Sequence, residues 1–247
     1  MRQTFHAAGK LLISGEYFVL DGALSLAIPT QMGQTLEVED FQAGQIDWKS
    51  YTYEGGLWFE EVFAFEEDKI LVQSTKNPEV AERLSQLFLS MAKQNPEWKN
   101  QILKKGAHVI TKIQFPRLWG LGTSSTLIAN LANWSTSNPY RLLGDSFGGS
   151  GYDIACAMSK GPILYQKINN EPQRVGIPLD LPFKQHLYFV YLGKKQNSRE
   201  GINRYRERKN LIGQDKLKFI SQLTLRMIQA KKLTSWNELV EKHEYIV

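Results

Sequence analysis

The stretch Phe115–Trp134, FPRLWGLGTSSTLIANLANW, decides how the rest of the 247-residue chain is read. It begins at the end of a strand pattern and breaks at Pro116. It then crosses Gly120-Leu121-Gly122 and enters an apolar helical pattern through Thr123, Ser124 and Ser125. Glycine admits backbone angles and close approaches that other residues cannot reach. A helix starts with unpaired N–H groups and the positive end of its dipole, so a glycine loop leading into one is a ready phosphate site. The hydroxyls behind the glycines either cap the helix or face a Mg2+ carried by a nucleotide. The stretch is not a Walker loop, because no Gly-Lys-Ser/Thr follows. Nor is it the dinucleotide fingerprint, because Ser125 stands where the third glycine belongs. Taken alone it reads equally as a phosphate loop and as a capped helix start.

Upstream, QTFHAAGKLLISGEYFVLDGALSLAIPT (residues 3–30) holds two apolar runs, Leu11–Ile13 and Leu24–Ile28, that read as strands. Lys10 enters the first run after Gly9, Glu16 lies in Gly15-Glu16-Tyr17, and Asp21-Gly22 signals a turn. By themselves these are a strand-edge lysine and two turn carboxylates. Residues 34–72 alternate aromatic, apolar and charged residues as a hairpin or meander does, with Gly55-Gly56 at a turn. Their glutamates argue against a nucleic-acid platform. Asn77-Pro78 opens a helix, Asn as cap and Pro at its first position, with Val80, Leu84, Leu87, Phe88 and Met91 as the core stripe. A strand over His108–Phe115 then delivers the chain into the glycine loop.

Downstream, Gly148-Gly149-Ser150-Gly151 is a second tight glycine cluster, followed at once by Tyr152 and Asp153 in the first turn of a short helix. An acid there complements the helix dipole, or is a carboxylate aimed by a glycine turn into a cleft. Ile163–Gln166 reads as a strand. Pro178 and Pro182 mark the best boundary in the chain. Beyond it LYFVYL (187–192) reads as a buried strand running into a cationic loop that carries Lys194 and Ser198, which suits an acidic substrate or plain solvent. Helices are expected over about 214–231 and 235–245, the second opened by a Ser235-x-x-Glu238 capping box.

The composition, 42% apolar and 22% charged with a formal charge of +5, is that of a globular protein suited to anionic partners. Basic residues are dispersed among acids, and no cationic face with interleaved aromatics appears, which makes a nucleic-acid domain the weakest reading. No apolar run approaches membrane-spanning length, and no secretory pattern opens the chain. A single cysteine, Cys156, rules out an internal disulfide and fits a reducing cytoplasm.

Together, Gly-Lys-Leu-Leu-Ile-Ser-Gly-Glu-Tyr, Gly-Leu-Gly-Thr-Ser-Ser and Gly-Gly-Ser-Gly-Tyr-Asp, in this order, resemble the motifs of the GHMP kinases, the superfamily of galactokinase and of homoserine, mevalonate and phosphomevalonate kinases. The resemblance spans residues 5 to about 200 and is nearest the mevalonate and phosphomevalonate kinase branch, enzymes of isoprenoid biosynthesis. It implies a two-lobed α+β fold with the active site in the cleft. The N-terminal, nucleotide-binding lobe (1–178) would be like ribosomal S5 domain 2, and the C-terminal substrate lobe (179–247) ferredoxin-like.

By the same resemblance, Leu118, Gly120, Leu121, Gly122, Thr123, Ser124 and Ser125 wrap the phosphates of ATP, with Ser124 facing Mg2+. Lys10 and Asp153 would be the catalytic pair; leaving rigid elements beside Gly9 and the glycine turn, their side chains are expected about 3–6 Å apart. Glu16, Ser150, Gly151, Tyr152, Lys194 and Ser198 lie toward the acceptor, a small anionic metabolite. Two departures stand out. Tyr140–Leu143 offers no second metal-binding glutamate, leaving Asp145 as the nearby acid. No third glycine-rich motif follows Trp236, and a lobe lacking it should bare apolar surface near residues 187–192. A diphosphomevalonate decarboxylase-like lyase and an inactive binding protein of the same fold are the rival expectations.

Overall fold

The computed structural model describes residues 2–66, 69–72, 75–194, 198–207 and 213–247, the side chains of 198 and 199 excepted. The fold is α+β, and its residues cluster into two compact units drawn from interleaved stretches of chain. The first comprises the chain up to Gly9 with Gln31–Arg117 and Leu121–Met158. The second comprises Lys10–Thr30, Leu118–Gly120 and Ser159–Val247.

In the first unit, strands β3 (Gln45–Tyr51), β4 (Leu57–Glu66) and β5 (Lys69–Val72) form a meander, and β6 (Ala107–Ile113) runs parallel to β3. The far half of β2 (Ser25–Glu39) completes this part of the sheet, antiparallel to β6 with Gln34 opposite Ile113. Period-two alternation puts Ile46 and Trp48 of β3 and Phe59 and Phe63 of β4 on one face. Helices α1 (Pro78–Gln94) and α3 (Thr123–Ser135) cover that face, α1 with Leu84, Leu87, Phe88 and Met91 and α3 with Ile128 and Leu131. Phe88 is its centre, 5.1 Å from Phe63 edge-on and 5.7 Å from Trp48. Each such side chain contributes roughly 1.5–3 kcal/mol by leaving water.

Between α1 and α3 lies a short helix, α2 (Pro96–Lys105), absent from the sequence reading. Asn95 caps it by accepting from the amides of Glu97 (3.1 Å) and Trp98 (3.2 Å). Helix α4 (Pro139–Ser146) starts the same way, Asn138 accepting from Tyr140 and Arg141. The expected cap at Asn77 is not made: its side chain accepts no helix amide. Helix α5 (Tyr152–Ala157) packs on α3 through Ala129 and Ala157.

In the second unit, β2 pairs with β7 (Ile163–Ile168), Ser25 opposite Tyr165, and β7 turns into β8 (Glu171–Gly176) through Asn169 and Asn170, both left-handed. That hairpin was not foreseen, although Asn-Asn is the residue type its turn requires. Strand β1 (Gln3–Ser14) feeds a 3-10 turn at Phe18–Asp21. Phe18, Leu26 and Tyr205 of α6 (Ser198–Glu207) share a core with Leu217, Ile220 and Leu223 of α7 (Gln214–Gln229) and Trp236 of α8 (Leu233–Ile246).

Two expectations fail here. Helix α8 begins at Leu233 with Lys232 as its flanking residue, so Ser235 lies inside the helix and caps nothing. The segment 187–192 is not a buried strand. It runs outside the sheet, with Tyr188, Phe189, Val190 and Leu192 between 67% and 82% exposed. An apolar run signals a need for cover without naming what covers it. The bare apolar surface expected near these residues is present.

Candidate active site

The approach to the glycine loop is braced before the glycines arrive. Arg117 opens a 3-10 turn, Arg117–Trp119, and its guanidinium lies 3.8 Å above the ring of Trp58. Burial there pushes the guanidinium below its ordinary range without threatening its charge. Leu118 and Trp119 remain exposed, the indole tilted against Tyr191 at 6.4 Å. Gly120 and Gly122 then take left-handed angles, φ 76° and 86°, which an L side chain adopts only with strain.

Gly122 is the flanking residue of α3, and among the described residues no side-chain hydrogen bond caps that helix there. The alternative of a capped helix start, with Thr123 or Ser124 as the cap, is not what the described residues show: the flanking residue is Gly122, which has no side chain to cap the first amides of this thirteen-residue helix. The neighbouring hydroxyls are spent on holding the loop. Ser125, buried, donates to the carbonyl of Gly122 at 2.8 Å. Thr126 reaches Gln34 Oε1 at 2.7 Å, and Asn130 donates to the Gln34 carbonyl at 2.8 Å, fastening the helix to β2. Thr123, Ser124 and the backbone of Leu121 are the parts of the motif left beside the open helix end. Arg117, Trp58 and Gln34 were not singled out in the sequence. Only the position of Arg117 inside the motif hinted at a role.

Asp153 lies on α5, preceded by glycines 148, 149 and 151, all at positive φ. Its Oδ1 accepts from the amide of Ile154 at 3.1 Å, and Ser150 Oγ accepts from Tyr152 at 3.5 Å. Ser150, Tyr152 and Asp153 are half-buried, and Gly151 is buried. Asp153 and the helix that follows the loop belong to the same compact unit, α5 packed on α3. Asp145 is engaged elsewhere, accepting from Ser90 at 2.6 Å. Among the described residues no group of three or more His, Cys, Asp or Glu is arranged to hold a metal.

In the second unit Lys10 lies on β1 and Glu16 in the turn that follows that strand. Burial pushes the Glu16 carboxyl above the usual range, the Lys10 ammonium pulls it back down, and Glu244 pushes it up again. Tyr17 takes φ 60°, a left-handed angle rare for an aromatic residue, and stacks on Tyr205 at 5.9 Å. Burial and the neighbouring Glu16 raise its phenol, while Arg204 opposes them. Lys194 is exposed, and Ser198 opens α6 with its side chain outside the described residues.

No protein-family model matches the sequence, and no curated protein matches it. Solved structures do. Mevalonate kinase of Methanococcus jannaschii superposes with a TM-score of 0.67 over 100% of this chain and 78% of its own, at 16% identity. Streptococcus pneumoniae phosphomevalonate kinase, solved in complex with phosphomevalonate and AMPPNP, gives 0.68 over 99% and 79%, at 15% identity. A mevalonate diphosphate decarboxylase from Legionella pneumophila gives 0.59 over 100% and 76%, at 12% identity. At such identities the likeness establishes the fold, that of the GHMP kinases. Among the described residues no helix is long and apolar enough to cross a membrane.

Proposed function

We propose that the chain is an ATP-dependent small-molecule kinase. It transfers the γ-phosphoryl group to a hydroxyl or phosphate of a small acidic metabolite, with mevalonate or phosphomevalonate preferred. The observation that carries this reading is the start of α3. Two left-handed glycines lead into a helix whose first amides no side chain among the described residues caps, in a fold shared with kinases of small acidic substrates. Those amides, with the helix dipole, suit a polyphosphate.

In this reading Leu118–Ser125 holds the phosphates of ATP. Asp153 accepts the proton of a hydroxyl acceptor while the acceptor oxygen bonds to the γ-phosphorus and the β,γ-bridging oxygen leaves with ADP. Lys10 offsets the charge of the transferred group, and Glu16, Ser150, Gly151, Tyr152, Lys194 and Ser198 orient the acceptor. Positioning and charge stabilisation of this kind carry most of phosphoryl transfer. A Mg2+ arriving on the nucleotide would have the Ser124 hydroxyl as its protein neighbour and would supply neutralisation of phosphate charge. The buried thiol of Cys156 suits the cytoplasm.

A coupled ADP-release screen over mevalonate, phosphomevalonate, homoserine and sugars tests the proposal. ADP release that depends on one anionic acceptor is expected. Nucleotide binding without acceptor-dependent ADP release would mean that the fold serves binding alone.

A further inference from the structure

We infer that His243, on the last helix, positions the Gly15–Tyr17 turn that presents Glu16 to the acceptor; this rests on the kinase reading of Glu16 given above. The turn has little freedom of its own. Gly15 sits at φ 88°, and a Cβ there would lie 2.1 Å from Ser25 Oγ, so the backbone presses directly on β2. Inside the turn, Val19 donates to the Gly15 carbonyl at 3.0 Å and Phe18 to the Glu16 carbonyl at 2.7 Å. The amide of Gly15 points the other way, into the interior. It donates to His243 Nε2 at 2.8 Å across 228 residues of sequence. A buried amide left without an acceptor is costly, so this contact decides where the turn rests.

The bond also assigns the state of the ring. A ring nitrogen that accepts carries no proton, so His243 is neutral with its proton on Nδ1, which donates to Glu244 Oε1 at 3.2 Å. His243 itself is 3% exposed, so water cannot replace it. The end of β1 just before the turn is fastened independently. Ser14 Oγ meets Thr224 Oγ1 of α7 at 2.8 Å and accepts from Leu26 at 3.2 Å. Loss of the histidine therefore frees the turn and not the strand. Helix α8 thus acts on the site twice, through His243 on the backbone and through Glu244, whose charge acts on Glu16.

The test uses the full chain with His243→Gln, whose amide oxygen can take the place of Nε2, and His243→Leu, which keeps the volume without an acceptor. His243→Leu should raise the KM of the acceptor about tenfold, with kcat and the KM of ATP changed less than about threefold. His243→Gln should restore the wild-type value. Amide hydrogen exchange at Gly15 should be slow in wild type and His243→Gln and fast in His243→Leu, and nitrogen NMR should find the Nδ1–H tautomer in wild type. Equal rises in both KM values, or equal Gly15 protection in all three proteins, would overturn the inference. So would an Nε2–H tautomer, a measurement that needs no variant to fold. If wild type phosphorylates no acceptor, the kinase reading fails, while the exchange and tautomer results still decide whether His243 holds the turn.

Discussion

Ser90 Oγ donates a 2.6 Å hydrogen bond to Asp145 Oδ2, tying α4 to α1. From the same face of α1, Arg83 donates to the Ser146 carbonyl and lies 5.0 Å from the ring of Phe147. Asp145, the one acid near α4 considered for a metal, is thus a brace between helices. Asp145→Asn should cost about 1–2 kcal/mol of stability, the value of a charge-assisted bond. Denaturation should show that loss, and titration should find the Mg2+ dependence of ATP binding unchanged. A weakened Mg2+ response in a folded variant would return Asp145 to the metal.

At the glycine loop, Gly122→Val places a β-branched side chain at φ 86°, which costs about 1–2 kcal/mol of backbone strain. It also sets a branched Cβ beside the open amides of α3. ATP affinity, measured by calorimetry on folded protein, should fall at least tenfold. Retained affinity would reduce the loop to an ordinary helix start. Gly120 shares the left-handed angle, but a Cβ there meets nothing within 4 Å. Gly120→Ala should therefore cost strain without a clash.

Glu16 makes stability depend on pH in a stated direction. Burial raises its carboxyl in the folded protein, and the partial opposition of Lys10 does not cancel the rise. The folded state then binds this proton more tightly than the unfolded chain does. Stability is lost as pH climbs from the ordinary carboxylate range through the raised one. Glu16→Gln removes that penalty, so in urea melts the variant should gain on wild type as pH rises above the ordinary carboxylate range. A gap that stays constant with pH would mean that the carboxyl is not desolvated.

Much of this was legible in the sequence, and the failures share a physical cause. The helical stripe Leu84–Met91, the strand into Phe115 and the glycines before Thr123 and Tyr152 are local patterns with one local solution. Asn77-Pro78 marks a helix start yet Asn77 makes no cap, whereas Asn95-Pro96 and Asn138-Pro139, which carry the same signal and were not read as helix starts, are the two that cap. Ser235-x-x-Glu238 has the spacing of a capping box, yet the helix had already begun at Leu233. What could not be read was long-range. Nothing near Gly15 points to His243, and nothing in LYFVYL says whether its cover is present.

That segment supplies a direct check. Val190 is 77% exposed, so Val190→Lys should change stability by no more than about 0.5 kcal/mol. A buried strand position would lose several times that amount. A loss above about 2 kcal/mol in chemical denaturation would show that the segment is covered in solution.

The most direct measurement compares wild type with Asp153→Asn in the presence of ATP and mevalonate or phosphomevalonate, following product mass, ADP and carbon dioxide together. The kinase account predicts one phosphorylated acceptor per ADP and no carbon dioxide. It also predicts turnover reduced about 10²–10⁴-fold in the variant, the range for lost general-base help, with ATP binding little changed. Carbon dioxide released with each ATP cleaved would make the protein a lyase on the same fold. Equal turnover in the two proteins would remove Asp153 from the chemistry and contradict the account.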